Sequence, residues 1–199
     1  MLDRSIPFYN MILKCSEWTP SEISLPEGFA FKPFAPEDGA AWAALEWEIG
    51  DFSTREEALS YFQETYGKFP EELRKRAVVL AHGDDIVGFC ITWRDKRGDD
   101  FVASLHWLVV SPAWEGRGLG RALVQKTMER YRELDEFPVY LHTQPWSCRA
   151  LMLYVHLGFQ IQTQDSFADY ENQYAKAMAA LRDVLPPERF QELLDASQG

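Results

Sequence analysis

Cysteine is scarce and spaced without pattern. The 199-residue chain has three, Cys15, Cys90 and Cys148, and none forms a Cys-x-x-Cys pair. An odd, dispersed set excludes a disulfide framework and a clustered zinc site, and it points to a reducing compartment. Histidine is almost as sparse. His82, His106, His142 and His156 show no metal-ligand spacing, so no metal is expected. No run of 18 apolar residues exists, which leaves no candidate membrane-spanning helix. The amino-terminal residues lack a basic stretch followed by a long apolar one. No signal peptide is therefore expected, and the expected location is cytoplasmic. Positive charge is also short: 20 Lys and Arg stand against 31 Asp and Glu, a net charge of −11. Such a surface repels phosphate backbones, so neither a nucleic-acid nor a membrane partner is expected. Cationic small molecules or basic peptides suit it better.

What is present is ordinary for a globular domain. Hydrophobic residues make up 46% of the chain, enough to bury a core without metal or disulfide staples. Residues 1–28 read as an irregular arm interrupted by Pro7, Pro20 and Pro26, and its aromatic residues predict that it packs on the domain. Phe29–Phe34 alternates like a strand. A helix is expected after Pro36-Glu37-Asp38, and a second from Ser53-Thr54, where Glu56 or Glu57 completes a capping pattern. Ala77–His82 and Ile86–Trp93 flank Gly83-Asp84-Asp85 as a hairpin. Asp95–Asp100 reads as a polar loop, and Phe101–Val110 as a fourth, central strand. Then follow a helix over Leu119–Leu134, a fifth strand at Pro138–Thr143, a helix at Ser147–Leu157 and a sixth strand at Phe159–Thr163. Ala168–Gly199 reads as helical, broken at Pro186-Pro187. The fold class is α/β, with a mixed central sheet of six to seven strands flanked by helices.

One stretch carries chemistry. After the apolar run Leu108-Val109-Val110, the chain has Gly116, Gly118 and Gly120, and a helix starts at once. Clustered glycines let the backbone approach a ligand and adopt unusual φ/ψ. Free amides at a helix start attract an anion. Arg117 and Arg121 add positive charge in an acidic chain. The arrangement predicts a pyrophosphate site. It is not a Walker A loop, because Gly120-Arg121-Ala122 replaces Gly-Lys-Ser/Thr. It is not a dinucleotide fingerprint either, because the third glycine would fall on Leu123 or Arg121.

The segment resembles motif A of the GNAT superfamily of acyl-CoA-dependent N-acyltransferases. That pattern is Gln/Arg-x-x-Gly-x-Gly/Ala after a strand ending in Val-x-Pro. Here Val110-Ser111-Pro112 precedes Glu115-Gly116-Arg117-Gly118-Leu119-Gly120. A second similarity lies downstream, where the family often has Asn-x-x-Ala-x-x-Leu-Tyr followed by Gly-Phe. This chain has Ser147, Ala150, Leu153-Tyr154 and Gly158-Phe159 at those places. The resemblance spans residues 29–164, between the arm (1–28) and a helical extension (165–199). It departs from the family at Glu115, at Ser147 and in the tail, where helices stand in place of the expected seventh strand or follow a very short one.

The resemblance implies acetyl-CoA as cosubstrate, with no metal. Its pyrophosphate would lie on the amides of residues 116–121, with Glu115, Gly116, Arg117, Gly118, Leu119, Gly120 and Arg121 forming the turn. Its pantetheine would pair with Leu108, Val109 and Val110 where the fourth and fifth strands splay, and Ser147 would also be near the cofactor. A backbone amide near Val109 or Val110 would stabilise the oxyanion, and Tyr154 would protonate the leaving thiolate. His106 and His142 are both candidates for the base. His106 matches the histidine of arylalkylamine N-acetyltransferases, and His142 the glutamate of ribosomal-protein N-terminal acetyltransferases. The first two helices would build the acceptor pocket, where Glu46, Glu48, Asp51, Glu56 and Glu57 mingle with Trp42, Trp47, Phe52, Tyr61 and Phe62. The same pattern also describes a solvated acidic face over an ordinary core. The expected activity is acetyl transfer to a primary amine, with a small molecule first and a protein N-terminus or lysine second. A catalytically idle CoA sensor is the rival. The tail suits a homodimer contact or a cover over the cofactor, and both stay open.

Overall fold

Nearly every apolar run becomes a strand or the inner face of a helix. The computed structural model describes residues 3–199. In chain order the strands are β1 (Met11–Cys15), β2 (Phe29–Lys32), β3 (Ala77–His82), β4 (Asp85–Arg97), β5 (Asp100–Val110), β6 (Val139–Thr143), β7 (Gln160–Gln162) and β8 (Ser197–Gln198). The helices are α1 (Asp38–Glu48), α2 (Arg55–Phe62), α3 (Pro70–Arg76), α4 (Leu119–Glu133), α5 (Cys148–His156), α6 (Tyr174–Val184) and α7 (Pro187–Asp195). Among the described residues the strands form one mixed sheet in the order β2-β3-β4-β5-β6-β1-β7-β8. The α/β class is as expected, and the strand count is eight rather than six or seven.

The chain divides into two compact units. One holds Pro20–Trp93 and His106–Arg130, and the other holds the stretch ending at Thr19, Arg94–Leu105 and Tyr131–Gly199. In the first, β2, β3 and the start of β4 pair antiparallel, with Phe29 opposite His82 and Val79 opposite Phe89. The loop into α1 is pinned by buried Asp38, which accepts from Lys32 Nζ at 2.7 Å and from the Ala35 amide at 2.8 Å. The expected cap of α2 forms: the Glu57 amide donates to Thr54 Oγ1, and the Ser53 amide donates to the Glu57 carboxylate, each at 3.1 Å. The helix then widens into a π-helical turn over Gln63–Gly67, which seats Tyr66 in the core. Neither this turn nor α3 was legible, because polar Arg74-Lys75-Arg76 hides a short helix whose buried residues are Leu73 and Arg76. Phe34, Trp42, Phe62, Tyr66, Val79, Phe89 and Val109 make one buried cluster. On β4, Gly88 leaves room for α4: a Cβ there would lie 2.8 Å from Leu123 Cδ1 and 3.2 Å from the Val109 carbonyl.

In the other unit the amino-terminal arm departs from expectation. Met11–Cys15 is not irregular but a strand, antiparallel to β6 through Ile12↔His142 and to β7 through Leu13↔Ile161. Met11, Ile12, Leu13 and Cys15 are fully buried, as an interior strand covered on both faces requires. The tail adds α6, α7 and only a two-residue strand, β8, parallel to β7. The expected polar loop at 95–100 also shrinks, because β4 runs to Arg97 and β5 starts at Asp100. Its charges are met sideways, with Arg97 donating to Tyr140 Oη at 2.7 Å and to Asp165 at 2.6 Å, and Arg94 pairing with Glu136. Strand β5 pairs with β6 in parallel through Ala103↔Val139 and Ser104↔Tyr140.

Ile12 packs with Tyr140 and Phe167. Ile12→Ala should therefore cost about 2–5 kcal/mol in urea unfolding. A loss below about 0.5 kcal/mol, the range of surface changes, would mean that the arm is dispensable to the core.

Candidate functional site

The turn from β5 into α4 is shaped by two left-handed glycines. Ser111 is tied back to β4, its amide donating to the Val87 carbonyl at 2.8 Å, and Pro112–Trp114 make one 3₁₀ turn. Gly116 and Gly118 then adopt φ of +77° and +80°, a left-handed conformation that other residues enter only at a cost. Helix α4 starts immediately, with the Ala122 amide donating to the Gly118 carbonyl at 3.0 Å. The amides before Ala122 have no carbonyl of their own helix to reach. No acidic residue occupies that first turn. A Cβ at Gly116 or Gly118 would meet nothing within 4 Å, so open space lies over both. Buried Leu119, Ala122 and Leu123 anchor the helix beneath, while Glu115, Arg117 and Arg121 are exposed. Arg117 lies over the Trp114 ring at 4.9 Å, and Trp114 packs on His82 and Phe29.

Leu108, Val109 and Val110 lead into this turn, and Val109 is buried. Just upstream, Trp107 has φ +53° in mid-strand, a genuine outlier for a bulky side chain and a store of local strain. Its ring sits against Trp42, Phe52 and Tyr61, with centroids 5.4–5.6 Å away. His106 is half-buried, and its Nδ1 shares a 2.6 Å hydrogen bond with the hydroxyl of buried Tyr66, the donor depending on the tautomer. Cys90 donates weakly to the His106 carbonyl at 3.6 Å. Burial pushes the Cys90 thiol up to about 12 and that of Cys15 up to about 11, so neither is a ready nucleophile.

His142, Ser147 and Tyr154 belong to the other unit. His142 Nε2 shares a 2.8 Å hydrogen bond with Asn10 Oδ1, and its ring stacks on Tyr170 at 4.0 Å and 7°. Phe8 lies 6.3 Å from that imidazole and 5.1 Å from Trp146. The Ser147 hydroxyl accepts from Gln144 Nε2 at 3.0 Å. Tyr154 is buried, with its ring edge-on to Phe159 at 5.8 Å. The Leu157 and Phe159 amides both donate to the Tyr154 carbonyl, each at 3.0 Å. Residues 108–110, 115–121 and His106 thus gather in one unit, and His142, Ser147 and Tyr154 in the other. Sequence spacing gave no sign of Tyr66, Asn10 or Tyr170 as partners of the two histidines. They lie 40, 132 and 28 positions away, and only tertiary folding joins them. Nor did it reveal the strain at Trp107, since no glycine or asparagine marks that position.

A strand that turns through two left-handed glycines directly into a helix, on a mixed sheet with helices about it, defines an α/β protein. The chain belongs to the acetyltransferase (GNAT) family, whose sequence profile matches residues 41–159. It is 30% identical to mycothiol acetyltransferase of Kineococcus radiotolerans over 73% of this chain and 48% of that one. It is 37% identical to the N-alpha-acetyltransferase RimI of Mycobacterium tuberculosis over 39% of this chain and 48% of that one. The chain thus spans about half the length of the curated relatives it matches. Its fold is like that of a GCN5-related N-acetyltransferase from Sphaerobacter thermophilus, with a TM-score of 0.57 and 22% identity over 78% of this chain and 49% of that one.

Gly118→Asp should abolish CoA binding, because it sets a carboxylate over the open amides. It should also lose about 1–2 kcal/mol of stability to the left-handed backbone. Titration calorimetry with CoA reads the first effect, and unchanged affinity would show that the turn is not the phosphate seat.

Proposed function

We propose that the protein transfers the acetyl group of acetyl-CoA directly to a primary amine. The turn at residues 116–121 carries this reading: its open space, free amides and left-handed glycines fit a pyrophosphate. The amides of the turn would hold the diphosphate, and Arg117 and Arg121 would add attraction from its exposed rim. The backbone of Leu108–Val110 would pair with the pantetheine arm as an added strand. Ser147, at the start of α5, would lie near the same arm.

For transfer, the acceptor ammonium first loses a proton to a base. The free amine then attacks the thioester carbon and forms the C–N bond. A backbone amide near Val109 or Val110 stabilises the oxyanion. The C–S bond breaks and the thiolate takes a proton from Tyr154. His106, braced by Tyr66, and His142, braced by Asn10 and Tyr170, are the two bases this chain offers. The acceptor is a small amine. The likeness to RimI over part of the chain favours a second class, the amine of a protein N-terminus or lysine.

CoA-thiol release from acetyl-CoA across polyamines, arylalkylamines, aminoglycosides, amino acids and peptides tests the reading. Release well above acceptor-free hydrolysis is expected with at least one class. Acetyl-CoA binding without release across all of them would instead indicate a sensor. Tyr154→Phe should lower kcat by roughly 10²-fold with acetyl-CoA affinity kept. Unchanged kcat would assign the proton to another group. Of His106→Ala and His142→Ala, the base is the one that moves the acidic limb of the pH–rate profile. If neither moves it, a carboxylate or a water chain takes the proton.

A further inference from the structure

The stretch between β7 and α6 reaches His142 twice, once directly and once through Asn10. It is itself tied to the rest of its unit. Asp165 accepts from Arg97 at 2.6 Å and from the Tyr140 hydroxyl at 3.0 Å. The Ala168 amide donates to the Lys96 carbonyl at 2.6 Å, and Asn172 Nδ2 donates to the Gln162 and Asp165 carbonyls, each at 2.8 Å. Buried Phe167 packs on Tyr140, with centroids 5.3 Å apart. So held, the stretch lays the Tyr170 ring flat on the imidazole, 4.0 Å away and 7° from parallel. Three residues on, Gln173 grips Asn10 by two bonds. The Asn10 amide donates to Gln173 Oε1 and the Gln173 amide donates to the Asn10 carbonyl, each at 3.0 Å.

Two bonds to one partner fix the Asn10 backbone and the direction in which its side chain leaves. Its Oδ1 meets His142 Nε2 at 2.8 Å. An amide oxygen only accepts, so Nε2 carries the hydrogen and the lone pair of the neutral ring is on Nδ1. The flat contact with Tyr170 opposes rotation of the ring out of this plane. We propose that Gln173 is a positioning residue for His142: through Asn10 it keeps the imidazole hydrogen on Nε2, so that Nδ1 takes the proton of the acceptor ammonium. An N–H bond of the ammonium breaks with its electron pair left on the amine, and an Nδ1–H bond forms to give an imidazolium. The same two contacts suit the charged ring, since its bond to Asn10 strengthens and its charge lies over an aromatic face. Asn10, Tyr170 and Gln173 all lie outside residues 41–159, which match the family profile. The support for the base therefore comes from the chain's own arm and extension. This rests on the acetyltransferase reading above, with His142 as its base, and deepens it.

The test is nitrogen-15 NMR of the full chain, labelled at histidine and free of ligand, at alkaline pH. Protonated and bare ring nitrogens then differ widely in shift, and His142→Gln identifies the signal among the four histidines. Wild-type His142 should carry its hydrogen on Nε2 alone. Gln173→Ala should move part of it to Nδ1. Gln173→Glu, which keeps an acceptor for the Asn10 amide, should restore the wild-type shifts. Gln173→Met, similar in shape but without the acceptor, serves if the alanine variant does not fold. In turnover with the amines tried above, Gln173→Ala should lower kcat roughly tenfold at unchanged KM for acetyl-CoA, a part of the roughly 10²–10⁴-fold that a base supplies, and Gln173→Glu should recover it. Hydrogen on Nδ1 in the wild type, or ring shifts that the alanine or methionine variant leaves unchanged, would overturn the proposal. So would a loss of kcat that the glutamate variant does not recover, or unchanged turnover in His142→Ala. Release with no amine at all would instead strike the acetyltransferase reading, and the ring shifts would still decide whether Gln173 sets the tautomer.

Discussion

Between Val110 and Leu119 the chain passes from a partly buried strand to a helix with a buried face. Two left-handed glycines make that path available at little cost. The rest of the unit holds the turn in place. Ser111 is tied to β4, Gly88 lets α4 lie close against that strand, and Leu119, Ala122 and Leu123 fix the helix from below. The net charge of −11 makes this local arrangement more telling. An acidic protein attracts a polyphosphate only where backbone dipoles and a few arginines overcome the general repulsion.

The two histidines show a common design reached by different routes. Each imidazole shares a hydrogen bond with a polar side chain brought from far along the sequence, Tyr66 for His106 and Asn10 for His142. Such a bond fixes ring orientation and selects a tautomer. Asn10 immediately precedes β1, so the strand that completes the sheet beside β6 also sets the surroundings of His142.

The glycine turn, the hairpin at Gly83 and the cap at Thr54 were legible because local chemistry determines each of them. The strand at Met11–Cys15 was not, since Pro7 and Pro20 surround it with breakers and only pairing with β6 and β7 makes it extended. The polar β4 and β5 ends at 95–100 read as a loop because the segment is charged, although Arg97 is held by Tyr140 and Asp165 and the neighbouring Arg94 by Glu136. The site residues that local pattern missed are all of this tertiary kind, and so is the mid-strand strain at Trp107.

Amide hydrogen exchange with and without acetyl-CoA tests most directly whether the β5–α4 turn is the seat of the cofactor. Exchange at residues 116–121 should slow markedly on addition, together with that of Leu108–Val110. Protection confined to other segments, with the turn exchanging as before, would contradict the assignment.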